Sequence, residues 1–222
     1  VDEIGLDAML QILTMVDSGE PLYSGGSADE ATGEPTDWRR FLDLVEFVGG
    51  SQQAADLFQQ YVIPPDEREA LGQRTKARTT YLSLEEHGDE WAVPLAVRRL
   101  MGSWSFAEAT DAMERAEYLL ALRDELDAAV AEIGTTYSPD LQAVYEDAED
   151  LDEATSIIEA HYSAAIALLN AVRAQDGSHS AFETIGLAGD NIEQTLALAG
   201  AALARGDVAT AQAKAQRVTD AI

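Results

Sequence analysis

Cysteine is absent from the 222 residues, and lysine occurs only twice, at Lys76 and Lys214. The lack of cysteine excludes disulfide bonds and thiol chemistry. Bases are scarce as well, since 14 Lys and Arg residues stand against 41 Asp and Glu residues, for a net charge of −27 at pH 7. Such a chain repels phosphate backbones and anionic lipids, so we expect no nucleic-acid binding. Solubility explains the acid excess more simply than a cation-binding or basic-partner surface does.

Long apolar runs are also missing. No stretch approaches the roughly 20 apolar residues of a membrane-spanning helix, and no signal peptide is recognisable, so we expect no membrane insertion by this chain. The sequence starts with Val1 rather than Met, from which we expect a piece of a longer protein whose leader or anchor has been removed.

Apolar residues recur at spacings of three and four through most of the chain, whereas strand signals are scarce. In residues 4–16 the apolar positions that suit a helix are Ile4, Met9, Ile12, Leu13 and Val16. The pattern, with the capping residues Thr36 or Asp37, Ser51, Ser105 and Ser180, predicts helices over 4–16, 37–48, 51–62, 65–86, 95–101, 105–133, 139–148, 151–172, 180–205 and 208–222.

The long predicted helices are joined by short turns, at Gly134 and at Gly206-Asp207 among others, and such helices pack as antiparallel neighbours. The clearest heptad is formed by Leu151, Ala154, Ile158, His161, Ala165, Leu168 and Val172. The sequence therefore predicts an all-α fold, a multi-helix antiparallel bundle with long helices. We divide it into a helical subdomain at 1–63 and a helical bundle at 64–222.

Catalytic motifs are not recognisable. The chain has no G-x-S-x-G, P-loop or G-x-G-x-x-G sequence, and residues 87–91, HGDEW, offer one histidine and a helix-breaking glycine where the zinc signature H-E-x-x-H needs two histidines. His161 lies on an apolar seam without a second ligand four residues away, which favours a core histidine. His179 lies in a predicted Gly-Ser turn and is expected to be solvated. We expect no enzyme activity and no catalytic, cofactor-binding or metal-binding residue.

The densest acidic run, residues 146–153, holds six carboxylates in eight positions. It lacks the central glycine of a calcium-binding EF-hand loop. A solvated junction, with acids at the N-terminus of the next helix, is the favoured interpretation, and cation binding stays open.

Aromatic residues surround a short basic segment, with Trp91 on one side and Trp104 and Phe106 on the other side of Arg98-Arg99. A candidate interaction surface with cation–π character is therefore Trp91, Arg98, Arg99 and Trp104. Core packing by the tryptophans is the favoured alternative.

Three segments of residues 1–63 share a family pattern: Ile4-Gly5 with Met9-Leu10; Thr36-Asp37 with Phe41-Leu42, Glu46 and Gly49-Gly50; and Leu57-Phe58 with Tyr61-Val62. They resemble the helical segment that follows the zinc site in gluzincin metallopeptidases of the aminopeptidase N type. Tyr61 stands where that family usually has tryptophan, residues 64–222 match nothing in it, and no zinc-binding or catalytic position maps onto this chain. The resemblance implies a packing element behind an active site, in a non-catalytic C-terminal piece of a larger extracytoplasmic protein.

Three hypotheses of function follow. The first is a non-catalytic helical accessory region that supports or positions a neighbouring domain or another protein. The second is an autonomous helical module that binds a protein or peptide. The third is a metal-dependent enzyme that uses scattered carboxylates.

Overall fold

The computed structural model describes residues 3–23, 37–182 and 189–222, with the side chains of these ranges except at positions 66, 176–182, 189 and 190. Ten α-helices and no strand occur in these ranges, so the prediction of an all-α helical bundle is confirmed.

The helices are α1 (Gly5–Ser18), α2 (Trp38–Phe47), α3 (Ala54–Tyr61), α4 (Arg68–Gly88), α5 (Leu95–Gly102), α6 (Phe106–Ile133), α7 (Asp140–Glu146), α8 (Leu151–Phe182), α9 (Gly189–Ala204) and α10 (Val208–Ala221). A 3₁₀ turn, Pro65–Glu67, leads into α4. Proline suits the first turn of a helix because its missing N–H would have no partner there.

The chain divides into two compact units, Val1–Glu114 and Arg115–Ile222, and the division falls within α6. The boundary suggested by the sequence, after residue 63, lies inside the first unit. There the buried side chain of Ile63 belongs to a core cluster with Leu42 and Ala54, against which Leu71 packs. The structure therefore groups residues 64–114 with the N-terminal helices.

Local hydrogen bonds mark the starts of α2 and α3. The Asp37 carboxylate accepts hydrogen bonds from the backbone N–H groups of Arg39 at 2.9 Å and Arg40 at 3.1 Å, so Asp37 is the cap of α2. The Ser51 hydroxyl accepts from the N–H of Ala54 at 3.0 Å and caps α3. Between them the chain turns at Gly50, whose φ of +67° is a left-handed conformation that glycine adopts without strain.

In the second unit α10 packs against both α8 and α9. Their shared core is built from the buried residues Leu168, Ala171, Ala199, Ala215 and Val218. The heptad predicted for α8 is confirmed, because all its members but Val172 are buried and Val172 packs against this cluster. Small alanine side chains let the helix backbones approach closely.

Helix α8 is longer than predicted. It continues to Phe182, whereas the sequence was interpreted as a helix ending at 172 and a turn near Gly177. The prediction of a turn there is wrong. One interior glycine costs a helix only about 1 kcal/mol relative to alanine and does not by itself end the helix. The predicted capping box at 180–183 lies partly outside the described residues, and the side chain of His179 is among those that the structure does not describe.

Candidate functional site

The four residues of the sequence-based candidate surface have different environments. Trp91 and Arg98 are buried, and the Arg98 Nη1 donates a hydrogen bond to the carbonyl oxygen of Val93 at 2.8 Å. Arg99 is exposed and Trp104 is half-buried. Two of the four side chains thus have little area to offer a partner.

Trp104 is part of the packing of the first unit. Its ring makes an edge contact with Trp38 at a centroid distance of 5.2 Å and packs against Phe106 at 5.4 Å. Its indole N–H donates a hydrogen bond to Oδ2 of the buried Asp43 at 2.8 Å.

Asp43 belongs to a buried ionic network that joins α2 to α4. Its Oδ1 accepts a hydrogen bond from Nε of Arg74 at 2.6 Å, and Nη2 of Arg74 also lies 2.7 Å from a carboxylate oxygen of Glu46. Arg78 bonds the same Glu46 carboxylate. Burial works against the charged form of Arg74, but Asp43 and Glu46 raise the pKa of Arg74 above its ordinary value. The network therefore holds α2 and α4 together through ion pairs and hydrogen bonds, although burial raises the pKa of Asp43 above its ordinary value.

The structure also describes His161 and the acidic run at 146–153, both singled out from the sequence. His161 is buried on the seam of α8, as predicted, with its Nδ1 2.9 Å from the carbonyl oxygen of Ile157. In the acidic run, the Asp150 carboxylate accepts from the N–H of Asp152 at 2.8 Å at the start of α8. Within the described residues, no group of three or more His, Asp or Glu side chains is arranged to hold a metal ion.

An exposed apolar face lies on α1. Leu6, Leu10 and Leu13 are 66%, 53% and 50% exposed. Their spacing of four and three residues places them on one side of the helix. We call these three residues the leucine stripe. Ile12, by contrast, is 0% exposed and packs into the first unit.

Polar contacts anchor α1 at both ends. Near its N-terminus, the Glu3 carboxylate accepts hydrogen bonds from the hydroxyl of Ser51 at 2.6 Å and from the N–H of Gln52 at 2.8 Å. At its C-terminus, Nη2 of Arg40 donates to the carbonyl oxygens of Met15 at 2.9 Å and Glu20 at 2.6 Å. These contacts, with Ile12 between them, fix the rotation of α1 and hold the leucine stripe outward.

The absence of a side chain at Gly49 leaves space for Ile12, the buried residue between the two polar contacts of α1. A Cβ atom at this position would lie 2.4 Å from the carbonyl oxygen of Val45 and 3.2 Å from Cδ1 of Ile12. We expect Gly49→Ala to force the backbone at Val45 to shift and to crowd Ile12, which destabilises the first unit by about 1–3 kcal/mol, as overpacking does. Urea unfolding measures this, with Gly72→Ala, at a position where a Cβ meets nothing within 4 Å, as the control.

The Glu3 contact predicts a pH dependence. The hydroxyl of Ser51, and then the N–H of Gln52, hold the pKa of Glu3 below its ordinary value. The contact therefore contributes stability above the ordinary pKa of glutamate and loses it as the pH falls through the lower folded pKa. We expect an NMR titration of the Glu3 carboxyl to show a midpoint below that of an unstructured glutamate, and Ser51→Ala to raise it. An identical midpoint in both proteins would contradict the contact.

A second exposed group lies on and just after α3. Leu57, Tyr61 and Val62 are 48%, 74% and 47% exposed, whereas the neighbouring Phe58 packs against the core cluster of the first unit. We call these three residues the α3 patch. The first unit thus exposes groups of large apolar side chains at α1 and α3, and the single Leu82 on α4.

None of the helices in the described part of the chain is both long and apolar enough to cross a bilayer. Comparison with protein-family models, curated proteins and solved structures finds no match to this chain. The resemblance of residues 1–63 to gluzincin peptidases therefore stays a prediction.

Proposed function

We propose that the chain is a non-catalytic helical accessory region that supports or positions a neighbouring domain or another protein, and that the leucine stripe of α1 is where it docks. The observation that carries the proposal is the stripe itself: three leucines, each at least half exposed, on one face of a helix that is anchored from its other side. An anchored helix presents its exposed face in one orientation, which lowers the entropy cost of binding.

The size of the stripe limits what it can do alone. Complete burial of a leucine contributes about 1.5–3 kcal/mol, so burying the exposed half of each gives roughly 1 kcal/mol per residue. Three such contributions fall short of the approximately 8 kcal/mol of a micromolar complex. A partner that binds at this affinity has to make further contacts around α1.

Site-specific photo-crosslinking tests the proposal. Benzoylphenylalanine at position 10, in the stripe, is compared with the same residue at position 82, since Leu82 is 48% exposed on α4 and lies outside the stripe. We expect a discrete adduct from position 10 in the producing cells, either within a longer polypeptide or to a second protein. Absence of an adduct at position 10, or equal adducts at both positions, would count against docking through α1.

The two forms of the adduct separate the two binding hypotheses. A crosslink to another segment of the same polypeptide supports the accessory region, and a crosslink to a different protein supports an autonomous protein-binding module. An H-E-x-x-H…E sequence encoded ahead of Val1 would support the further proposal that the parent is an extracytoplasmic peptidase-like protein. A parent sequence without such a motif would remove that proposal.

A further inference from the structure

We propose that the segment docked on the leucine stripe is a basic amphipathic helix, with apolar side chains against the three leucines and Lys or Arg side chains against Asp7 and Asp17. This inference rests on the proposed function and names the chemistry of its partner. Helices that lie along a neighbouring apolar face use anchors with the same three- and four-residue spacing as the stripe.

The charges of α1 have one sign. Gly5–Ser18 contains Asp7 and Asp17 and no Lys, Arg or His. Both carboxylates are exposed, and neither forms an ion pair within the described residues. Asp17 follows Leu13 by four residues, so it continues the line of the stripe at its C-terminal end.

The guanidinium of Arg40 reaches the C-terminal end of α1 and is already hydrogen-bonded there. Arg40 donates to the carbonyl oxygens of Met15 and Glu20, so the guanidinium that reaches the end of α1 is bonded to backbone rather than to Asp17. The α3 patch has the same character, since Ala54–Tyr61 contains Asp56 and no base. The charged residues of α1 and α3 are therefore all acids.

Charge complementarity decides between the occupants. A second copy of the chain would bring Asp7 and Asp17 against acids of the same kind, and each copy carries a net charge of −27. Like charges placed opposite one another oppose association, whereas a basic segment gains from them. The distance from Leu6 to Asp17 is about 16 Å along the helix axis, which a partner helix of about 12 residues covers.

Three peptides of about 14 residues serve as probes, a length that covers the stripe. The first is a Lys/Leu amphipathic helix, the second has the same leucine pattern with Glu in place of Lys, and the third has the composition of the first in scrambled order. Binding to the full chain is measured by fluorescence anisotropy at low and high salt. We expect the Lys/Leu helix to bind the chain, and the Glu/Leu and scrambled peptides to bind at least tenfold more weakly.

Two variants assign the binding to α1. Leu6→Ser/Leu10→Ser/Leu13→Ser keeps the charge of the chain, and we expect about 100-fold weaker binding of the Lys/Leu helix, because the exposed area of three leucines is lost. The control Leu82→Ser/Leu198→Ser changes leucines of similar exposure elsewhere and should bind as the wild type does.

The second variant, Asp7→Asn/Asp17→Asn, should slow association about threefold at low salt and have little effect at high salt, because exposed charges act chiefly on the association rate. Its control, Asp111→Asn/Glu153→Gln, removes the same net charge from exposed positions outside α1. An equal decrease of the association rate in both charge variants would overturn the assignment to Asp7 and Asp17.

The outcomes separate this inference from the proposed function. Equal binding of the Lys/Leu and Glu/Leu helices, or no binding of either, would overturn the basic partner and leave docking to the crosslinking experiment. Unchanged binding of the Lys/Leu helix to the triple serine variant would show a general attraction between opposite charges. It would also overturn the inference of a basic helix docked on the leucine stripe. Self-association of the wild type in sedimentation velocity, lost in the triple variant, would identify a second copy as the occupant instead.

Discussion

Replacement of Asp43 by alanine is expected to destabilise the first unit by about 3–5 kcal/mol. The substitution removes the carboxylate that Nε of Arg74 bonds and leaves this guanidinium, which is 2% exposed, with Glu46 as a remaining partner. Breaking a buried pair is far more costly than losing a surface pair. It also removes the acceptor of the Trp104 indole N–H.

The measurement is urea unfolding followed by tryptophan fluorescence, because all three tryptophans, at positions 38, 91 and 104, lie in the first unit. Glu67→Ala is the matched control in the same unit. Glu67 accepts from Arg39 at 2.6 Å, but both side chains are about one-third exposed or more, so the expected loss is under about 1 kcal/mol. Equal decreases in the free energy of unfolding of the two variants would show that the Asp43–Arg74 pair is solvated.

A double variant tests the origin of that loss. Asp43→Leu with Arg74→Met replaces both charges by apolar groups, which often restores the stability lost when only one partner of a buried pair is removed. We expect the double variant to be more stable than Asp43→Ala. Stability equal to that of Asp43→Ala would mean that the hydrogen bond from Trp104, which both variants lose, accounts for the effect rather than the unpaired charge.

Ile12→Ala is expected to destabilise the first unit by about 2–4 kcal/mol, whereas Leu13→Ala, one residue further along α1, should change its stability by less than about 1 kcal/mol. Ile12 is 0% exposed and Leu13 is 50% exposed, so only the first substitution leaves a cavity in the core. The same fluorescence measurement detects both. The two variants share a helix, a host unit and a similar change in size, which makes each the control for the other.

The pair also separates stability from docking. Leu13→Ala is expected to reduce the position-10 crosslink and leave unfolding nearly unchanged, because this side chain faces outward. If Leu13→Ala proved as destabilising as Ile12→Ala, the stripe would be part of the core, and the docking proposal would fail with it.

Local signals explain most of the correct helix predictions. The caps at Asp37 and Ser51 and the glycines at 134 and 206 involve groups within a few residues of one another, so the sequence alone specifies them. The heptad of α8 was recognisable for the same reason, since its apolar residues recur on every turn. The prediction of a turn at Gly177 was wrong because a glycine weakens a helix only locally. The helical turns on either side can keep the helix continuous across it.

The periodicity of the sequence could not predict which apolar residues of α1 are exposed. Residues 4–16 contain apolar side chains around most of the helix, and the sequence pattern includes both Ile12 and Leu13 among the apolar positions that suit a helix. In the structure Ile12 is buried and Leu13 is half exposed. Consecutive helical residues point about 100° apart, so only the position of α2 beside α1 decides which of the two is covered.

What the sequence determined by itself is the all-α class, the acidity and the positions of most helix ends, because these depend on composition and on groups a few residues apart. The tertiary structure alone decided that Asp43 pairs with Arg74, 31 residues away, and receives the indole N–H of Trp104, 61 residues away. It also decided that α1 turns its leucines outward. Contacts between distant segments form only when the helices pack, and no short stretch of sequence records which faces will meet.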